Sequence, residues 1–142
     1  MSEVIYPDYF QGIKVEMIRV GTDIPSWDKS RQWQRYKYAV MISKGKISAQ
    51  FPFWGSAVDW KNDKDPEPLE ALRCYVSDAL LYADSADLDD YADQYCEGMK
   101  VSETIESYNF CKNAFAVLGK MGFDQADIPI LDIDLNKRLD GE

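Results

Sequence analysis

Six carboxylates lie between positions 84 and 97, and five of them, Asp84, Asp87, Asp90, Asp93 and Glu97, recur every three or four residues, with Asp89 beside them. On a helix that spacing lines acids along one face. Such a row can coordinate a cation, supply paired carboxylates for acid–base work, or imitate a run of phosphates. The calcium reading fails on position. A loop counted from Asp87 needs glycine sixth and glutamate twelfth, and the chain has Ala92 and Gly98 there. No metal is expected. A hydrolase with paired carboxylates stays open at this level, because spacing in sequence does not fix spacing in a fold.

The chain contains no histidine. That removes the usual general base near neutral pH, the Ser-His and Cys-His pairs, and the commonest transition-metal ligand. No glycine-rich loop of the GxxxxGKS/T or GxGxxG kind occurs, so phosphate cradling is unsupported. No catalytic residue and no cofactor are expected. Cys74, Cys96 and Cys111 are an odd count without a CxxC pair, and all three read as reduced core residues within helical patterns.

Two further groups could recognise a partner. "FPFWGSAVDW", residues 51 to 60, sets Phe51 and Phe53 on one strand face and Pro52 and Trp54 on the other, before Gly55-Ser56 breaks the strand. Trp54, Asp59 and Trp60 then either anchor an interface or close a corner of the core. Arg31, Arg35, Lys37, Lys44 and Lys46 beside Trp33, Tyr36 and Tyr38 form a thin basic-aromatic set of the kind that stacks on bases.

Charge is divided steeply along the chain. Residues 1–58 hold eight Lys/Arg against five Asp/Glu, residues 59–106 four against fourteen, and residues 107–142 four against six, which gives the net charge of −9. The acidic middle would repel nucleic acid and membrane phosphates and steer basic protein surfaces toward it. The same charge would also serve solubility alone.

The elements that must position these groups are read from periodicity. Residues 12–21 alternate as a half-buried strand, and residues 35–43 and 46–54 form a hairpin around Lys44-Gly45, with Pro52 marking an edge or bulged strand. Helical spacing follows over 65–83, with Pro66 or Pro68 in its first turn. It recurs over 85–98, with Asp87 or Ser85 as cap, and over 101–122, where Ile105, Tyr108, Cys111, Phe115 and Leu118 read as the apolar stripe. Residues 123–142 read either as a late strand or as a partly ordered extension. The expected fold is therefore α+β: one domain over residues 1–142, with about three antiparallel strands followed by about three amphipathic helices packed on them. No run of about 18 apolar residues exists, and "MSEVIYPDYF" lacks the basic start and apolar core of a secretory signal. A soluble cytoplasmic protein is expected.

The order of "RYKYAVMIS", "ISAQFPFWGSAVDW", "PEPLEALRCYVSDAL" and "LDDYADQYCEGMKVSETIESYNFCKNAFAVLGKMGF" resembles a group of small phage and prophage proteins of unknown function, over roughly residues 33 to 123. They share a hairpin ending in aromatic-Gly-Ser-x-x-Asp, then an acidic-aromatic helix and a long last helix. The resemblance implies a viral origin and a stoichiometric role in the cytoplasm of a bacterial host. The reading that follows is an anti-defence inhibitor of the anti-CRISPR kind, binding a host protein with a basic nucleic-acid-binding surface. Asp84, Asp87, Asp89, Asp90, Asp93 and Glu97 would form a DNA-mimicking face, with Trp54, Asp59 and Trp60 as anchors. The alternative is a phage replication or assembly accessory that binds nucleic acid through the basic-aromatic hairpin.

Overall fold

A computed structural model describes residues 3–140. Four strands, β1 (Glu3–Phe10), β2 (Ile13–Asp23), β3 (Arg35–Lys44) and β4 (Ile47–Trp54), form an antiparallel sheet in chain order. Helices α1 (Ala57–Lys61), α2 (Pro68–Ala83), α3 (Leu88–Tyr95), α4 (Val101–Lys120) and α5 (Ile128–Leu139) follow. The α+β class is as expected, with one strand and two helices more than the sequence pattern shows.

The extra strand is β1. Its pairing with β2 shifts register between Ile5 and Asp8, so Tyr6 and Pro7 sit in a bulge that interrupts the alternation. Pro52 stands on β4, an edge strand bonded only to β3, where a missing N–H costs no ladder bond. The β1–β2 turn is Gln11-Gly12, both at positive φ (49° and 82°), which matches the right-handed twist of a two-residue hairpin.

One sheet face is covered and the other is open. Ile13, Val15, Met17, Tyr38, Val40, Ile42 and Phe51 point inward, and α2 lays Leu69, Leu72, Tyr75, Val76 and Ala79 over them. Phe51 and Tyr75 stack at 4.2 Å between ring centroids. The outer layer comes from Ala114, Leu118 and Met121 at the end of α4 and Leu131 of α5.

Three expectations are corrected. The tail is neither a strand nor an extension but α5. Asp124 and Asp127 form a capping box on the short 3-10 turn Gln125–Asp127 that leads into it, and Leu131 reaches the core with Ile128 and Leu135 against it, a three-and-four spacing hidden by the Ile130, Asp132, Asp134 alternation. The buried stripe of α4 is Thr104, Cys111, Ala114 and Leu118, while Ile105 and Phe115 are exposed. Cys96 and Cys111 are buried, but Cys74 faces solvent on α2.

Polar ties hold the layers in place. Arg19 donates to Asp65 from Nε at 3.0 Å and from Nη2 at 2.8 Å, and the hydroxyl of the fully buried Tyr38 donates to the same carboxylate oxygen at 2.5 Å. Lys44 donates to the carbonyl of Met121, Arg73 of α2 pairs with Asp132 of α5, and Arg138 of α5 grips Asp8 of β1. Burial alone would raise the Asp8 carboxyl, but the Arg138 guanidinium and the Tyr9 N–H outweigh it and hold the group below its usual 3.8.

Two measurements check these ties. Tyr38→Phe loses one hydrogen bond and should cost about 1 kcal/mol. Arg19→Met leaves Asp65 unneutralised and should cost about 2 kcal/mol, less than full burial would give because Asp65 keeps some contact with water. Urea denaturation should return that order. Asp8 has a depressed folded pKa, so its stabilisation is present above the unfolded value of 3.8 and drains as pH falls through the lower folded value. The melting-temperature gap between the wild type and Arg138→Gln should be constant near neutral pH and close below pH 3.8.

Candidate functional site

The six acids of residues 84–97 all lie on the connection between α2 and α4. Asp84 is the C-cap of α2, its N–H donating to Leu80 O. Asp87 is the N-cap of α3, and its carboxylate accepts from Asp90 N at 2.8 Å. Asp90 in turn accepts from Ala86 N and Gln94 Nε2, both at 2.8 Å, and those donors hold its carboxyl below the usual carboxylate range. These two side chains build the helix start.

Asp84, Asp89, Asp93 and Glu97 differ. All four are exposed, and among the described residues none makes a side-chain hydrogen bond or an ion pair. Asp84 closes α2, Asp93 is in the last turn of α3 and Glu97 lies just past it, so three of them put negative charge where the helix dipole disfavours it. Neither α2 nor α3 has a basic residue in its last turn.

The acidic segment is fastened by aromatic packing. Tyr91 is buried, with its hydroxyl 2.6 Å from Ser107 Oγ and 3.5 Å from Cys111 Sγ on α4. Burial pushes the Tyr91 hydroxyl and the Cys111 thiol up, so both stay protonated near neutral pH. Among the described residues no group of three acidic or thiol side chains is placed to hold a metal ion.

Trp54, Asp59 and Trp60 lie elsewhere. Ser56 caps α1 by accepting from Asp59 N at 2.9 Å, and a side chain at Gly55 would meet the Tyr38 ring at 3.4 Å. The Gly-Ser-x-x-Asp signature is thus a tight exit from the sheet followed by a helix cap. Trp54 is half-exposed, with Nε1 donating to Asp23 at 3.1 Å, and Trp60 is partly buried on α1. α1 packs on β3 and α3 packs on α4, so the structure does not bring the two groups together.

The basic-aromatic set is largely engaged within the molecule. Arg35 pairs with Asp23 at 2.8 Å, Arg19 covers the Tyr36 ring at 3.7 Å, and Lys61 covers Trp33 at 4.0 Å. Tyr38 faces the core. Sequence reasoning missed the exposed aromatic edge of α4. Its signal is Phe115 and Gly119 four residues apart on one helix face, but Phe115 was counted in the expected core stripe and Gly119 as a candidate end of the helix.

No protein family, no curated protein and no solved structure matches this chain. No helix among the described residues is long and apolar enough to cross a membrane.

The division of labour among the acids is testable. Asp87→Ala should cost about 1 kcal/mol through the lost cap, while Asp89→Ala should stay within about 0.5 kcal/mol of wild type in denaturant melts.

Proposed function

We propose that this protein is a non-catalytic inhibitor, an anti-defence protein of the anti-CRISPR kind encoded by a phage and acting in the host cytoplasm. It binds a basic nucleic-acid-binding surface of a host protein through the exposed acids around α3. One observation carries the reading. Asp84, Asp93 and Glu97 stand at the C-terminal ends of α2 and α3 with no side-chain partner among the described residues, where negative charge works against each helix. Charge needed only for solubility could be placed anywhere on the surface. Charge kept where it lowers stability fits a site that faces a cationic partner. The resemblance to phage accessory proteins supports the same assignment. The nucleic-acid accessory reading is weakened, because Arg35, Tyr36 and Trp33 are already engaged by Asp23, Arg19 and Lys61.

The test is the triple variant Asp84→Lys, Asp93→Lys, Glu97→Lys. Its melting temperature should equal or exceed that of wild type. In affinity capture from nuclease-treated host lysate, wild type should retain a basic nucleic-acid-binding protein that elevated salt releases, and the triple variant should retain none. Capture that survives in the variant, or that requires intact nucleic acid, would overturn the proposal.

A further inference from the structure

An apolar cleft of about 270 Å³ opens between α2, α4 and α5. Its walls are Val76 and Leu80 of α2, Leu118 of α4, Phe123, and Ile128 of α5, with Asp124 and Gln125 at the mouth. Phe115 stands at the edge, 49% exposed. Gly119 lines the cleft one helical turn further on, and a Cβ built there has no neighbour within 4 Å. A glycine inside a helix costs about 0.5–1 kcal/mol against alanine. Here it leaves room that no other described residue fills.

The cleft is joined to the acidic segment by rings. Phe115 contacts Tyr82 at 5.5 Å, Tyr82 contacts Tyr108 at 5.5 Å, Tyr108 contacts Tyr91 at 5.3 Å, and Tyr91 contacts Tyr95 at 5.4 Å. This row crosses from the cleft over α2 and α4 to α3, and its two end rings, Phe115 and Tyr95, are exposed. Leu80 in the cleft and Asp84 lie four residues apart on one face of α2, so the acidic group begins one turn beyond the apolar wall. Between Tyr108 and Phe115 the only cation is Lys112.

We infer that the cleft and the exposed end rings Phe115 and Tyr95 dock a basic amphipathic helix of a protein partner, with apolar side chains entering the cleft beside Gly119 and Lys or Arg side chains reaching Asp84, Asp93 and Glu97. This rests on the proposed reading of α3 as the face for a basic partner and adds the form that partner takes. An apolar trough continued by carboxylates complements a helix with one apolar and one cationic face. A small polar ligand would find few orienting groups, since only Asp124 and Gln125 border the opening.

The probe is a fluorescein-labelled peptide of leucine and lysine in helical three-and-four spacing, with a scrambled peptide of equal composition as control. Wild type should bind the amphipathic peptide at least tenfold more tightly than the scrambled one. Gly119→Leu, which fills the cleft at an unstrained helical position, should remove that preference with the melting temperature retained, and Gly119→Ala should keep it. Phe115→Ser supplies a second variant that also weakens binding. Equal binding by wild type and Gly119→Leu overturns the cleft inference. If Asp84→Lys, Asp93→Lys, Glu97→Lys still abolishes binding in that case, the acidic face stands without the cleft. Loss with Gly119→Leu but not with the acidic triple leaves the cleft in place and removes the functional reading. Binding of anilinonaphthalene sulfonate in the cleft that the peptide fails to displace would assign it to small apolar molecules and overturn the inference.

Discussion

The hydroxyl of Tyr38 governs how this chain leaves its sheet. Tyr38 is fully buried at the centre of β3, and a buried phenol needs a partner. Asp65 supplies it, and Arg19 on β2 keeps that carboxylate neutralised. Asp65 lies three residues before Pro68, the first residue of α2. The ion pair therefore fixes where α2 begins, and α2 is the element that covers the inner face of the sheet. Gly55 lies against the same residue, since a Cβ there would touch the Tyr38 ring at 3.4 Å.

From α2 outward, charges between layers are matched. Arg73 meets Asp132, Arg138 meets Asp8, and Lys44 meets the carbonyl of Met121. Each joins elements distant in sequence. The segment between α2 and α4 breaks this habit. Its capping acids, Asp87 and Asp90, are hydrogen-bonded, while Asp84, Asp89, Asp93 and Glu97 are exposed and have no cation partner among the described residues. The fold thus separates acids that build structure from acids that only present charge, and the functional proposal rests on the second set.

Much of the architecture was legible because its signals are local. The hairpin around Gly45, the strand after Gly12, a proline-led start of α2 and a cap for α3 all follow from period, turn chemistry or capping, with Pro68 chosen over Pro66 and Asp87 over Ser85 only in the structure. β1 was hidden because a bulge at Tyr6-Pro7 removes the alternation on which strand reading depends. α5 was hidden because five residues of apolar and acidic alternation, 131–135, satisfy both periods, and only the capping box upstream favours a helix.

By itself, the sequence determined the class of the fold, the absence of histidine chemistry and the placement of negative charge in the middle third. Those are properties of composition and of short-range period. Tertiary structure decided which face of α4 is buried. Two stripes on that helix share the same spacing: Thr104, Cys111, Ala114 and Leu118 on one, Ile105, Tyr108, Phe115 and Gly119 on the other. The sequence pattern drew on both, taking Ile105, Tyr108 and Phe115 together with Cys111 and Leu118. Packing against α2 selected the stripe with the smaller side chains, because small residues let two helices approach closely, and the displaced Phe115 and Gly119 became the rim and the opening of the cleft.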